Sequence, residues 1–282
     1  MIITIKDNNY SASINSNGAE LFKFKKDKTN YIWTIDEQFW NKTSPILFPI
    51  VGRLKNDSYT LNGIEYKLPR HGFARGCEFE VVHKKENEVL FSLRESEETL
   101  KMFPFEFELQ IRYTLVESKL TISYEVINHS ENSMPFNIGA HPAFAMTGNF
   151  EDYSLQFNKD ENFETHHLEN ELFNGKTTFV ESRIGNILLS YSLFEKDALV
   201  FKHIKSYEVS ILKENNPYLK INFEGFPFLG IWTKQNAPFL CIEPWYGHAD
   251  EKISNGNIYT KKDVQILNPK DIFKANFSIE IP

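Results

Sequence analysis

The sequence predicts an all-β fold, a sandwich or a barrel with few and short helices. Residues 105–115 alternate apolar and polar side chains strictly, and the alternation resumes at residues 120–126 after a short polar link. Half-buried strands have this period of two, so the two stretches predict a long antiparallel hairpin. A second hairpin is predicted around Asn62-Gly63, because this dipeptide accepts the positive φ angles of a tight two-residue turn.

Further short runs rich in β-branched, aromatic and aliphatic residues predict more strands, separated by polar turn residues. These runs are residues 2–5, 10–14, 21–24, 79–83, 89–93, 153–157, 198–201, 207–212, 218–223, 230–233 and 239–242. Because strand follows strand without helices between them, the pattern excludes a parallel α/β sheet.

Helix signals are few. Ser96 can cap a short helix over residues 96–102, and Pro104 ends it. A brief helical turn is expected at residues 190–195. The polar stretch 159–175 is expected to be mainly loop, with room for a strand near Phe163.

Length and composition favour one large β domain over residues 1–282. A hydrophobic fraction of 41% can bury a sizeable core. The net charge of −7 argues against a nucleic-acid or anionic-membrane surface, because both need a basic footprint. No apolar run has the length of a membrane span, and the first residues do not resemble a signal peptide. Cys77 and Cys241 form no disulfide framework, so we expect a soluble cytoplasmic protein with reduced thiols.

Glu243 is a candidate catalytic residue. It follows an apolar run and precedes Pro244 and Trp245, which predicts that the strand ends there, because proline cannot donate a ladder hydrogen bond. Partial shelter beside the indole would raise the pKa of the carboxyl toward the range of a general base. The structural alternative is a carboxylate that pairs with an arginine or a backbone amide.

His141 is the second candidate, because Gly139 and Pro142 constrain the backbone around it. An imidazole can hold or release a proton near neutral pH, which suits a general acid. A buried histidine that donates to a carbonyl is the structural alternative.

Two further segments carry polar side chains suited to hydroxyl groups or phosphate. Residues 70–76 combine Arg70, His71 and Arg75 with two glycines, and Arg53 follows Gly52 upstream. Arginine donates several hydrogen bonds from its planar guanidinium, and a neutral histidine ring both donates and accepts hydrogen bonds. A solvated turn is the alternative for each segment.

Other chemistries lack their signatures. The sequence contains no H-E-x-x-H, C-x-x-C, G-x-S-x-G or G-x-G-x-x-G pattern, and His166-His167 has no partner at metal-ligand spacing. We therefore predict no cofactor and no metal.

The ordered blocks resemble the aldose 1-epimerase family, the galactose mutarotase-like proteins, and in particular the bacterial branch associated with lactose operons. The blocks are residues 52–56 (GRLKN), 71–75 (HGFAR), 141–144 (HPAF), 197–199 (DAL) and 243–250 (EPWYGHAD). The resemblance spans the chain. It implies a large antiparallel β-sandwich that binds a sugar in a cleft across one sheet, without a cofactor.

By this resemblance, Glu243 is the general base that takes the proton of the C1 hydroxyl, and His141 is the general acid at the ring oxygen. His71, Arg53 and Trp245 are implied to bind the substrate. Asp197 is the implied binding aspartate, with Asp250 as the other choice. Around His141 the sequence departs from the better-known mutarotases, since Gly-Ala precedes it and Pro-Ala-Phe follows it.

Arg75 resembles a residue of the sugar-phosphate epimerase relatives, which adds a phosphorylated hexose to the expected substrates. The alternatives are a non-catalytic carbohydrate-binding protein of the same fold and, ranked lower, a glycoside hydrolase. The expected partner is a small-molecule sugar, and no nucleic-acid or membrane partner is expected. The protein is expected to be a monomer or a homodimer.

Overall fold

Two large antiparallel sheets dominate the computed structural model, which describes all residues 1–282. In chain order, the strands are β1 (Ile2–Asp7), β2 (Tyr10–Asn15), β3 (Glu20–Lys26), β4 (Thr29–Asn30), β5 (Ile46–Leu47), β6 (Ser58–Leu61), β7 (Ile64–Lys67), β8 (Glu80–Lys84), β9 (Glu88–Arg94), β10 (Phe107–Val116), β11 (Lys119–Asn128), β12 (Met134–Phe136), β13 (Ile138–Ala140), β14 (Ala143–Ala145), β15 (Tyr153–Phe157), β16 (Glu164–Glu169), β17 (Leu172–Phe179), β18 (Asn186–Leu188), β19 (Leu199–Lys202), β20 (Glu208–Lys213), β21 (Asn216–Asn222), β22 (Phe228–Trp232), β23 (Phe239–Tyr246), β24 (Gln265–Leu267) and β25 (Ile272–Glu280).

The larger sheet has nine strands in the order β18-β15-β20-β21-β25-β11-β10-β9-β8. The second sheet has the order β17-β16-β19-β22-β23-β13-β5, and β14 also pairs with β23. A four-stranded sheet, β1 to β4, and two small two-stranded sheets complete the fold. The all-β prediction is confirmed.

The main core lies between the two large sheets. Alternate side chains of β10 and β11, such as Ile111 and Tyr124, point into it from the nine-stranded sheet, and Leu240 and Ile242 of β23 point into it from the other. Side chains of a strand alternate between faces, so Cys241, Glu243 and Trp245 of β23 lie on the opposite face. This outer face carries the candidate site.

Helices are short, as expected. The single α-helix, α1 (Glu97–Met102), begins at Ser96, whose side chain accepts from the Thr99 N–H in a capping box. Short 3₁₀ segments lie at Lys55–Asp57, Ala74–Gly76, Phe150–Asp152, Tyr191–Phe194 and Ile258–Thr260. No helix is long and apolar enough to cross a lipid bilayer.

Both predicted hairpins form. Strands β10 and β11 pair in continuous register from Phe107 with Asn128 to Val116 with Lys119, and β6 pairs with β7 across Asn62-Gly63. The prediction of a loop at residues 159–175 is only partly correct: β16 is the strand allowed near Phe163, but it extends to Glu169, and β17 begins at Leu172. The bulge between His166 and Leu168 interrupts the period of two, which hides these strands from a pattern search.

Candidate functional site

A cavity opens on the outer face of the eight-stranded sheet. Its floor is formed by β23 and its neighbours, and loops from distant parts of the chain form its rim. The charged and ionisable residues of its wall are Arg70, His71, Arg75, His141, Glu171, Asp197 and Glu243; the other residues are Trp40, Pro45, Val51, Gly52, Leu168, Phe173, Ala198, Val200, Trp232, Trp245 and Ala249.

His141 and Glu243 meet on the cavity floor. The Nε2 atom of His141 lies 3.2 Å from Oε2 of Glu243, and their side chains are 10% and 2% exposed. His141 occupies the break between β13 and β14, directly before Pro142, which favours an extended backbone there. The strands on both sides of His141 pair with β23, which carries Glu243, so the sheet sets the separation of the two side chains.

The predicted strand end at Glu243 is wrong, because β23 continues to Tyr246. The Ile242 N–H donates to the Pro142 carbonyl, so the nitrogen of Pro244, two residues on, faces the same side. On that side of β23 the neighbouring strands β13 and β14 are separated by a short break. The strand partner is missing at this break, so β23 can contain a proline, which has no N–H to donate. The Trp245 indole N–H instead donates to the Ala140 carbonyl at 3.2 Å.

Two glycines shape the floor around Trp245. A Cβ atom on Gly139 would lie 2.4 Å from the Cδ1 atom of Trp245, and one on Gly230 would lie 2.4 Å from its far ring edge. Both glycines belong to strands that flank β23. The Trp245 indole therefore lies over Gly139 and Gly230. It forms a flat apolar surface beside Glu243, which suits stacking against a ring-shaped ligand.

Burial shifts the protonation of the central pair in opposite directions. It raises the pKa of the Glu243 carboxyl well above its usual value; the charge of Arg70 and the Trp245 indole oppose this rise, and the charge of Asp197 adds to it. Burial lowers the pKa of His141 to about 3, with the charges of Arg70 and Arg75 acting in the same direction. Both groups are therefore favoured in their neutral forms.

His71 stands beside this pair in a strained backbone conformation. Its φ is +66°, a left-handed value that non-glycine residues seldom adopt and that is found at functional sites. Its Nδ1 accepts from the Gly52 N–H at 3.1 Å, so the neutral ring carries its proton on Nε2. Burial lowers the pKa of His71 well below its usual value. The ring is thus a neutral hydrogen-bond donor, with its centroid 5.8 Å from that of His141.

The predicted arginines separate in the structure. Arg75 reaches the cavity wall, where its guanidinium donates to the Arg70 carbonyl at 2.8 Å. Arg53 does not reach the wall, because its guanidinium is held by Asp57 at 2.6 Å and by Glu171 at 2.8 Å. Arg70 lines the cavity in its place and is also paired with Glu171.

The two candidate aspartates also separate. Asp197 lines the cavity with a φ of +102°, and its carboxylate accepts from the Ala198 N–H at 2.7 Å. Asp250 is buried elsewhere, 3.1 Å from the Lys261 ammonium, and accepts from the Lys55 N–H. Asp250 therefore has a structural role, and Asp197 is the aspartate available to a ligand.

The sequence did not reveal three wall residues as site candidates: Trp40, Trp232 and Glu171. The Trp40 ring is tilted by 30° against His141 at a centroid distance of 5.0 Å, and Trp232 meets the same imidazole edge-on at 5.9 Å. Trp40 and Glu171 lie in loops without a periodic pattern. Arg70 belongs to the predicted polar segment 70–76, and the structure places it on the cavity wall.

Comparison with known proteins assigns the family. The family model described as aldose 1-epimerase matches residues 1–264. The chain belongs to the aldose 1-epimerase family. It is 34% identical to the plasmid-encoded protein LacX of Lactococcus lactis subsp. lactis, and the match covers 100% of this chain and 99% of LacX.

Solved structures of this family share the fold. A galactose mutarotase related enzyme from Lactobacillus acidophilus is 32% identical, with a TM-score of 0.95 over 100% of this chain and 97% of that one. A galactose mutarotase-like protein from Lactobacillus casei ATCC 334 is 29% identical, with a TM-score of 0.95 and complete coverage of both chains. The galactose mutarotase-like sandwich expected from the resemblance is confirmed.

Proposed function

We propose that this protein is a mutarotase that interconverts the α and β anomers of a hexose or a hexose phosphate. The observation that carries the proposal is the buried contact of 3.2 Å between His141 and Glu243 in the cavity of an aldose 1-epimerase family chain. This is a general acid and a general base placed side by side, without a nucleophile between them.

Anomer exchange needs one proton removed and one proton supplied. Glu243 takes the proton of the C1 hydroxyl while His141 gives a proton to the ring oxygen, and the bond between C1 and the ring oxygen breaks. The resulting open-chain aldehyde rotates about the C1–C2 bond. Closure on the other face reverses both transfers, so the two residues return to their starting protonation states.

The spacing of the pair suits this chemistry. The C1 hydroxyl and the ring oxygen are bonded to the same carbon, so their proton partners must also be neighbours. Burial favours a protonated carboxyl and a neutral imidazole at this pair. The working pair, carboxylate and imidazolium, holds the same number of protons. One proton shift along the contact converts the first state to the second, and an acid and a base contribute about 10²–10⁴-fold each.

The other wall residues supply binding groups. The neutral His71 ring donates through Nε2, the Asp197 carboxylate accepts, and Trp245 offers a flat surface to the sugar ring. Arg53 acts on a ligand only through Glu171, which it shares with Arg70.

Arg75 is the group that suits a phosphate. It is a partly buried guanidinium on the cavity wall, and it has no carboxylate within 4.0 Å. A buried cation without a counter-ion is costly, and an anionic ligand removes that cost. Arg70 is already neutralised by Glu171, so the free positive charge of the wall is centred on Arg75.

Polarimetry on freshly dissolved α-glucose, α-galactose and the corresponding 6-phosphates tests the proposal. We expect at least one sugar to reach anomeric equilibrium faster with the protein than in the buffer blank. If none does while sugars still bind in calorimetry, the protein is a carbohydrate-binding protein of the same fold. Release of the chromophore from aryl glycosides would instead indicate a glycoside hydrolase.

A further inference from the structure

The acid–base pair has a third potential ligand beside it. Cys241 precedes Glu243 by two residues on β23, so both side chains lie on the cavity face of that strand. The ligand atoms of His141, Cys241 and Glu243 all lie within 4.8 Å of one another, and all three residues are buried. The proposed proton transfers use only two of these groups.

The three atoms approach the geometry of a tetrahedral metal site. Zinc binds imidazole nitrogen and carboxylate oxygen at roughly 2.0–2.2 Å and thiolate sulfur at about 2.3 Å, which puts neighbouring ligand atoms ~3.3–3.6 Å apart. The His141 and Glu243 atoms, 3.2 Å apart, are already close to this spacing. The Cys241 sulfur lies within 4.8 Å of both other ligand atoms, so it needs a shift of at most about 1.5 Å to meet this spacing.

We propose that His141, Glu243 and the neighbouring buried Cys241 bind a thiophilic divalent metal ion, such as Zn²⁺, next to the cavity. Imidazole and thiolate ligands select zinc over magnesium or calcium. Three protein ligands leave the fourth position of a tetrahedral ion for water or a sugar hydroxyl. The thiol proton and the carboxyl proton pass to solvent as the ion binds.

This site has a direct consequence for the reaction. A metal ion held by Glu243 and His141 occupies the two atoms that would exchange protons with the sugar. Metal and proton transfer are therefore mutually exclusive, and Zn²⁺ acts as an inhibitor at this site.

Packing is the competing explanation for Cys241. Its side chain contacts an apolar cluster with Trp33, Ala143 and Phe239, where a small apolar residue would also fit. In that case the thiol only fills space, and its replacement by serine leaves metal affinity unchanged.

The second cysteine provides a matched control. Cys77 is half-buried outside the cavity, and its thiol contacts the Phe73 carbonyl. Titration of the whole protein with Zn²⁺ in a calorimeter, and with Co²⁺ in a spectrophotometer, measures binding without any assay of activity. We expect one ion per chain and a thiolate-to-cobalt absorption band in the wild type and in Cys77→Ser.

Cys241→Ser should lose the cobalt band and weaken Zn²⁺ binding by at least about 10-fold, since even supporting residues of metal sites contribute that much. If Cys241→Ser does not fold, Glu243→Gln in the Cys77→Ser background tests the same site and should weaken binding similarly. The absence of binding at millimolar Zn²⁺, or equal affinity in wild type and Cys241→Ser, would overturn the proposal. Because the readout is binding, a failure of the mutarotase proposal leaves this test intact.

Discussion

Opposite pH dependences of stability are expected when the two members of the buried pair are removed one at a time. The unfolded chain titrates His141 near 6.5 and Glu243 near 4.5, whereas burial favours the neutral form of both groups in the folded state. The variants Glu243→Gln and His141→Asn each leave one of these groups alone in the cavity.

The sign follows from proton uptake. Between pH 4.5 and 6.5 the unfolded state binds more protons at His141 than the folded state, so this residue makes the free energy of unfolding rise with pH. At Glu243 the folded state binds more protons, so this residue makes the free energy of unfolding fall with pH. At 1.36 kcal/mol per pKa unit, a group that stays neutral in the folded state contributes about 2 kcal/mol across the window, and in the wild type the two contributions oppose each other.

Urea unfolding at several pH values between 4.5 and 6.5 measures the effect, with the wild type as the reference for all other titrating groups. Relative to the wild type, Glu243→Gln should gain about 2 kcal/mol of stability as the pH rises, and His141→Asn should lose about 2 kcal/mol. If both differences are constant with pH, the pair is not desolvated in solution and the argument from burial is refuted.

Three further predictions concern catalysis, specificity and packing. Glu243→Gln should lower kcat by about 10²–10⁴-fold in polarimetry with KM nearly unchanged, because the amide keeps the size of the side chain but takes no proton. The control is Glu65→Gln at an exposed position, and a near-wild-type kcat in Glu243→Gln would refute the role of base. Arg75→Gln should raise the KM for a hexose 6-phosphate about 10-fold or more, since a charged hydrogen bond contributes about 1.5–3 kcal/mol. The KM for the neutral hexose should stay nearly unchanged, and an equal change for both sugars would contradict a phosphate contact. Gly139→Ala should destabilise the fold by about 1–3 kcal/mol in urea unfolding, because its Cβ would lie 2.4 Å from Trp245. The control is Gly76→Ala, whose Cβ meets nothing within 4 Å and which should be nearly neutral. Equal stabilities of the two variants would show that Trp245 moves aside at little energetic cost.

The fold was largely predictable because its strongest signals are local. The alternation along β10 and β11 and the turn at Asn62-Gly63 each identify a hairpin without knowledge of the rest of the chain. The continuation of β23 through Pro244 was not predictable, because it depends on a gap between β13 and β14 that only the assembled sheet reveals.

The candidate site was predictable in part for the same reason. His71, His141 and Glu243 lie in short blocks with glycine or proline, and the structure brings all three to one cavity. Arg53 lies in such a block as well, but Asp57 and Glu171 hold its guanidinium away from the wall. The partner at Glu171 is 118 residues away, so the local sequence gives no sign of this second ion pair.

Exchange between α and β anomers, measured by NMR at anomeric equilibrium, tests the joint action of His141 and Glu243 most directly. The wild type, Glu243→Gln, His141→Asn and the double variant are compared on the sugar with the fastest exchange. Residues that act as a unit give non-additive losses, so the double variant should be about as slow as the slower single variant. Wild-type exchange at the rate of the buffer blank, or losses that multiply in the double variant, would contradict a coupled acid–base pair.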